Sequence, residues 1–550
     1  MRKVNILIEN DSSKVTVPEG TSLVSLSKNY KSLLKGDILL ARKNTEMIPL
    51  NTNIYEDCSI EFLDITSPEG LRTYQRTCAL VMFAAMYNLY GNTKQAVVRH
   101  SANKNFYCQI PGESVTQQTI DEIKGEMERL ISNDFPITVI KENVSDCIDI
   151  FTEYGLESTA NVLRYNHEEV IELYNLNGYY DYSGGVVMPS TGCVKYFDIT
   201  EKDGNFILQF EDPQNPGNIN APLIYPKLTQ IFNEYEDWSE ILGIHTVGVL
   251  NRKVCNDETR DVILVCEALH EKKISNIADD IARSGRKLVF IAGPSSSGKT
   301  TFAKRLGVQL NAAGLTPKVI SLDDYYKNRV DIPVDENGQK NFENLEALDV
   351  DRFNSDLVEI LEGKEVATPL YDFITGNRRR ETKNITLTDK DVLLMEGIHG
   401  INEALTYKIP REDKYKIYIS ALTQLNVNEH IRISTTDTRL IRRMVRDHYF
   451  RGFDAKSTLE MWATVLTGEE KNIFPYQDDT DAIFNSALVY ELSVLKSYVE
   501  PLLLNISKDD PCYIEARRLL DFLSVFLTIR PEDIPKNSLL REFVGGSIFK

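Results

Sequence analysis

The segment Lys287-Leu-Val-Phe-Ile-Ala-Gly293-Pro294-Ser295-Ser296-Ser297-Gly298-Lys299-Thr300-Thr301 constrains this chain more than any other. An apolar run that reads as a buried strand enters a loop bounded by glycines, and Phe302 to Ala312 then reads as a helix. The G-x-x-x-x-G-K-[ST] pattern turns the backbone tightly and points successive N–H groups at phosphate oxygens, and the helix N-terminus adds the positive end of its dipole. Within this pattern Lys299 reaches the β and γ phosphates and Thr300 offers its hydroxyl to Mg²⁺. A strand, loop and helix in this order belong to an α/β fold with a parallel sheet flanked by helices, which binds ligands at the carboxyl ends of its strands.

The residues downstream narrow what such a loop serves. No N-K-x-D guanine-reading motif occurs, and the buried strand Asp391-Val-Leu-Leu-Met-Glu396-Gly397 ends in a single glutamate, unlike the Asp-Glu pair of many hydrolytic ATPases. A second strand, Lys318-Val-Ile-Ser-Leu, exits into Asp323-Asp324-Tyr325-Tyr326 at the carboxyl edge. An acid there can face both a γ-phosphate and an acceptor hydroxyl, so Asp323 is the candidate to orient and deprotonate that hydroxyl. The competing reading of Asp323 is a helix cap at the strand exit. Arg439, Arg442, Arg443 and Arg446 have the spacing of one helical face. Such a row can neutralise charge spreading over a transferred phosphoryl group and close over it. The bland alternative is a solvated basic face paired with Asp437 and Asp447.

From Arg286 to Ala487 the chain resembles the uridine kinase and phosphoribulokinase family. The resemblance rests on Gly293 to Thr301, Ser321-Leu-Asp323-Asp-Tyr-Tyr326, Asn341-Phe342-Glu343 with Glu346, Pro369-Leu-Tyr371-Asp372-Phe373, Glu396-Gly397-Ile398, and Thr436-Asp-Thr-Arg439-Leu-Ile-Arg442-Arg443-Met-Val-Arg446-Asp447, in the family order. It implies ATP- and Mg²⁺-dependent transfer of a γ-phosphoryl group to a hydroxyl of a small molecule, a nucleoside foremost, with another sugar or polyol as the alternative. It implies that Asp323 is the base, that Tyr326 and Tyr371 line the acceptor pocket, and that Glu346 stands where relatives grip ribose hydroxyls with an aspartate. Glu396 and Asp323 join Thr300 around Mg²⁺, and the four arginines form a lid.

Two positions depart from the pattern. The histidine that contacts a pyrimidine base in relatives is replaced here by Gly376, and a base-contacting glutamine on the helix after the lid aligns with Met461. Lost polar contacts weaken discrimination for a particular pyrimidine. The histidines 100, 167, 245, 270, 399, 430 and 448 are scattered without metal-ligand spacing, and His399 and His448 are the two near the motifs.

The remainder of the 550 residues calls for further domains. Residues 1–64 alternate as short strands, Val4 to Ile8, Lys14 to Val17, Ile38 to Ala41 and Ser59 to Leu63, with a helix near Ser22 to Leu34. They resemble the β-grasp-like TGS module of threonyl-tRNA synthetases. Residues 65–222 read as an α+β unit, with a helix from Pro68 to Tyr90, strands from Ala96 to Phe106 and a helix from Gln117 to Asn133. This unit resembles the synthetase editing domain through Arg76-Thr-Cys-Ala-Leu-Val-Met-Phe-Ala-Ala, Phe106-Tyr107 and Gly184-Gly185-Val-Val-Met-Pro189-Ser-Thr-Gly192. The family's zinc-type ligand positions fall on Arg76, Leu80, Ser183 and Val187, none of which is a zinc ligand, so no zinc is expected. Tyr87 and Phe106 are assigned to core packing.

Residues 223–285 read as a helical connector, with Leu264, Ala268, Ile274, Ile277 and Ile281 on one face of a helix from Glu258. After the 286–487 domain, residues 488–550 suggest helices at Val489 to Ile506, Ile514 to Leu527 and Asn537 to Phe549. These are equally consistent with a cap on that domain and with a homo-oligomer contact. The start MRKVNILIEN has no signal-peptide run, and no eighteen consecutive apolar residues occur, so a cytoplasmic protein without a membrane span is expected. The eight cysteines form no C-x-x-C pair and read as reduced thiols. A net charge of −19 disfavours a broad nucleic-acid surface. A second reading stays beside the kinase: a tRNA- or ribosome-associated regulator whose front half binds RNA by shape and whose phosphate loop senses nucleotide.

Overall fold

The computed structural model describes residues 2–182, 184–223, 225–334, 342–372, 375–423 and 425–549, with the side chain of residue 102 also left aside. Ser183, Asn341 and Phe373, named above, lie outside the described residues. No helix among the described residues is long and apolar enough to cross a membrane.

The first strands build a five-stranded sheet in the order Ser13–Pro18, Lys3–Ile8, Cys58–Leu63, Leu40–Lys43, Glu46–Pro49. Alternation explains its single buried face, with Val4, Ile6, Ile8, Ile60 and Phe62 inward. The helix expected over Ser22 to Leu34 is shorter, Leu23–Ser27, followed by a separate turn Lys31–Leu33. The Asn29 and Tyr30 N–H groups bond the carbonyls three residues back, which tightens and ends the helix.

The next unit is built around the helix Pro68–Tyr90, begun by Ser67 as N-cap with Pro68 in the first turn. It is buried on most of its circumference from Thr73 to Met86. A four-stranded antiparallel sheet (Asp198–Lys202, Asn205–Gln209, Asn105–Gln109, Val97–Ala102) and a three-stranded one (Ile137–Asn143, Val170–Leu176, Tyr179–Asp181) accompany it.

The second half is organised by a five-stranded parallel sheet in the order Thr316–Ser321, Asp391–Glu396, Leu288–Ala292, Lys414–Ser420, Ala482–Asn485. Its central strand Leu288–Ala292 is buried throughout because both faces are covered. On one face Val289 and Ile291 meet Phe302, Leu306 and Leu310 of the helix Lys299–Ala312 and Ile274, Ile277 and Ile281 of the helix Thr259–Ser284. On the other, Leu288 and Phe290 meet Phe353, Leu357 and Ile360 of the helix Val350–Leu361. The helix Thr259–Ser284 is therefore one of the layers on this sheet. Its inward face runs through Ile263, Cys266, Glu267 and His270, whereas Leu264 is 52% exposed and Ala268 is also exposed, one residue away from the face the sequence suggested.

The C-terminal helices Glu491–Leu504 and Tyr513–Ser524 cap this half: Leu492, Leu495 and Val499 share a core with Leu440, Ile441 and Met444 of the helix Thr435–Arg451. The helix expected over Asn537 to Phe549 is only the turn Arg541–Val544, ended by Gly545 and Gly546 at φ of 82° and 73°.

The two halves interlock through residues 425–434. Glu429 accepts from the Ser158 and Thr159 N–H groups at 2.7 and 3.0 Å and from the Thr159 hydroxyl at 2.9 Å. His430 stacks on Phe83 at 3.6 Å and bonds Asp181 at 2.9 Å. Replacing Glu429 by alanine orphans those donors and is expected to cost about 2–4 kcal/mol, read as a lowered urea midpoint with an unchanged far-ultraviolet spectrum.

Candidate active site

The site forms where the central strand ends. Gly293 is required there, because a Cβ would stand 1.9 Å from the Ile419 carbonyl oxygen of the neighbouring strand. The loop turns through Ser296 at φ 59° and Gly298 at φ 87° before the helix begins at Lys299. The Ser296 and Ser297 hydroxyls are buried with no hydrogen-bond partner among the described residues, an unmet polar demand inside the loop. Lys299 Nζ donates to the Gly293 and Pro294 carbonyls at 2.9 and 3.1 Å. Thr300 is exposed at the first turn, and Thr301 is buried.

Strand pairing sets Ser321 against Glu396 and Glu396 against Ile291, so the ends of three adjacent strands lie level. Ser321 donates to Glu396 at 3.3 Å, and Asp323 sits in the turn Leu322–Tyr325 immediately beyond. Burial raises the carboxyl of Asp323 against the opposing pull of Lys299 and Arg451. Burial and the charge of Asp323 raise Glu396, again against Lys299. Burial lowers the Lys299 ammonium, which the charges of Glu396 and Asp323 partly restore. Two carboxylates beside one lysine fit a hard divalent cation, which Mg²⁺ sites hold with one or two carboxylates plus phosphate oxygens.

Around the second strand, Tyr326 and Tyr371 pack at 5.6 Å, and the Tyr326 hydroxyl donates to the Phe342 carbonyl at 2.9 Å. Arg378 holds this wall together by donating to the Tyr326 and Tyr325 carbonyls at 3.0 and 3.1 Å and to Asp349 at 3.0 Å. Glu346 is exposed in the turn Leu345–Ala347. His399 is 1% exposed, neither ring nitrogen has a hydrogen-bond partner among the described residues, and burial lowers its pKa to about 4 against the charge of Glu346. Gly376 has φ +69°, and a Cβ there would press on Arg329 at 3.1 Å, so both backbone and space favour glycine. Met461 lies on the helix Ala455–Asn472.

The arginine helix differs from the expected row of open charges. Arg439 and Arg442 are buried, each neutralised by its own carboxylate. Arg439 pairs with Glu469 at 2.6 and 2.8 Å, and Arg442 donates to Glu491 at 3.1 Å and to the Ser486 carbonyl at 2.8 Å. Arg443 donates to the Ser295 hydroxyl at 2.8 Å, and Arg443 and Arg446 both pair with Asp447. Three of the four thus brace the phosphate loop, since Arg439 and Arg442 also donate to the Ser295 and Ser296 carbonyls at 3.3 Å. Truncating Arg442 to alanine strands Glu491 as a buried charge and is expected to cost about 3–5 kcal/mol in urea unfolding, with substantial recovery in Arg442→Met/Glu491→Met.

Sequence reasoning did not single out Glu469, Glu491, Arg378 or Arg451. Glu343, quoted only as a landmark, has its carboxyl pushed up to about 7 by burial against the opposing charge of Arg443.

A glycine-bounded phosphate loop at the carboxyl edge of a parallel sheet, with a lysine and two acids converging on it, defines a P-loop nucleotide-binding domain. Residues 288–493 match the model of the Phosphoribulokinase / Uridine kinase family. A uridine kinase of Brevibacillus brevis is 31% identical over 179 residues, 32% of this chain and 74% of that protein. The chain belongs to the phosphoribulokinase/uridine kinase family. It is also 26% identical over 198 residues to a threonine–tRNA ligase of Syntrophotalea carbinolica, covering 36% of this chain and 31% of that one. A solved structure described as a possible uridine kinase from Bacillus stearothermophilus aligns at 18% identity with a TM-score of 0.26, over 38% of this chain and 98% of that one.

Proposed function

We propose that the chain transfers the γ-phosphoryl group of ATP to a hydroxyl of a nucleoside or closely related sugar. The convergence of Lys299, Asp323 and Glu396 on the end of the phosphate loop carries this reading. When bound, Mg²⁺·ATP supplies the phosphoryl group. Lys299 and the loop N–H groups hold the phosphate oxygens. Asp323 accepts the proton of the acceptor hydroxyl as the hydroxyl oxygen bonds to the γ-phosphorus and the bond from that phosphorus to the bridging oxygen breaks, releasing ADP, and Thr300, Glu396 and Asp323 are the side chains that would hold the cation. Arg443 and Arg446 are the arginines of the helix best placed to meet phosphate charge, because they are only partly buried and share one carboxylate, Asp447, whereas Arg439 and Arg442 are buried, each on a carboxylate of its own. Tyr326, Tyr371 and Glu346 line the acceptor side.

The buried ring of His399, without a hydrogen-bond partner among the described residues, supports an acceptor that brings its own hydrogen-bonding groups. Glycine at 376 supports a pocket less selective for one pyrimidine than that of the uridine kinases. The test is ADP formation with individual nucleosides and sugars, with uridine and a purine nucleoside compared directly. A kinase reading requires acceptor-dependent ADP, and acceptor-independent hydrolysis would contradict it.

The front half is proposed to be a TGS-like module, residues 1–64, followed by an editing-like domain, residues 65–222, that lacks its chemistry. In that reading Arg76 fills the cleft by donating to the Val186 carbonyl at 2.6 Å, and His430 closes it from the other half. Its role is then to brace residues 425–434, which lead directly into the arginine helix.

A further inference from the structure

N–H groups of the phosphate loop already have anionic partners within the chain. Thr301, in the first turn of the helix Lys299–Ala312, donates its N–H to Glu542 Oε2 at 3.1 Å, and Ser295 donates to Glu469 Oε1 at 2.8 Å. Glu542 lies beyond the family-matched span, in the turn Arg541–Val544. Its neighbours hold it there. A Cβ on Gly298 would stand 3.5 Å from Leu539, and the Arg442 guanidinium lies 5.0 Å from the centre of the Phe543 ring. Leu539, Leu540 and Phe543 are fully buried. The Ile548 N–H closes the segment on itself by donating to the Lys536 carbonyl at 2.9 Å.

A helix N-terminal N–H that is committed to a carboxylate is not free for a phosphate oxygen, because both anions need the same donor and the same positive end of the helix. The charge of Glu542 also acts on Lys299 and on Glu396. Three carboxylates therefore surround the one lysine, and a polyphosphate entering that space meets like charge.

We propose that residues 539–543 are an intramolecular competitor of nucleotide: while Glu542 holds the Thr301 N–H the phosphate loop is closed, and a nucleoside triphosphate binds by displacing it. This rests on the phosphate loop being a nucleotide site, as proposed above. The segment is then a built-in gate, opened by high nucleotide concentration or by anything that draws the C-terminal clasp away.

The experiment measures Mg²⁺·ATP affinity by isothermal titration for the full chain, for Glu542→Ala and for Lys299→Ala as the blank, together with amide hydrogen exchange of residues 537–549 in the wild type. Glu542→Ala is expected to bind ATP about tenfold tighter or more. ATP is expected to reduce the protection of those amides. If the variant does not fold, the wild-type exchange decides alone. Equal or weaker affinity in Glu542→Ala, or undiminished protection in the ATP-saturated wild type, overturns the gate and leaves the nucleotide site standing. Failure of both wild type and Glu542→Ala to bind ATP overturns both.

Discussion

Replacing Lys299 by alanine is expected to lower ADP formation at least about a thousandfold, equivalent to about 4 kcal/mol of transition-state stabilisation. The lysine is the cation at the end of the loop on which Asp323 and Glu396 converge, and its Nζ is held by the Gly293 and Pro294 carbonyls in line with the loop. Those contacts make no part of the hydrophobic core, so the variant should keep the wild-type circular dichroism spectrum and a cooperative unfolding transition. Removing the ammonium leaves two raised carboxyls without the charge that opposes their burial. Loss of activity with loss of fold would not bear on catalysis, which is why the unfolding midpoint is measured beside the rate.

Asp323→Asn preserves shape and removes the proton acceptor. General-base catalysis contributes about 10²–10⁴ in rate, and kcat is expected to fall within that range while KM for Mg²⁺·ATP rises by much less, because Thr300 and Glu396 remain to hold the cation. Because burial raises the Asp323 carboxyl, the wild-type rate should fall as pH drops and that carboxyl takes up its proton. The Asn variant should lack that acid limb. A variant that kept the limb, or that lost ATP affinity in place of kcat, would assign Asp323 to nucleotide binding and not to proton transfer.

Much of this site was legible because a phosphate loop is a local object. Strand, glycine-bounded turn and helix are contiguous, so Gly293 to Thr301 could be read from spacing alone, and the strand ends that carry Asp323 and Glu396 could be placed at a carboxyl edge. The order of the strands, which sets Ser321 beside Glu396, is not written in any one segment. The arginine row shows the same division. Helical spacing says which residues share a face, but the carboxylates that neutralise Arg439 and Arg442 lie 30 and 49 residues further along the chain. Spacing could not separate the two buried arginines from Arg443 and Arg446. Glu542 was illegible for a different reason. Asn537 to Phe549 has helical apolar spacing, yet Gly545 and Gly546 adopt positive φ and end the turn, and the contact it makes spans 241 residues.

The front half illustrates a limit of periodicity in the other direction. The helix Pro68–Tyr90 was clear from its helical pattern. That Phe83 on this helix would be met by His430 from the second half depended on a partner that no pattern near Phe83 announces. Glu429, capping Ser158 and Thr159, is likewise a single acid in a polar loop until the two halves are brought together.

The central claim is acceptor phosphorylation, and the most direct measurement is coupled ADP formation by the full chain and by Glu542→Ala across a panel of nucleosides and sugars, with Lys299→Ala as the blank. The account predicts ADP formation that depends on a nucleoside or related sugar and disappears in the blank. ADP formation that persists in Lys299→Ala, or that is unchanged by every acceptor in both active proteins, would contradict it.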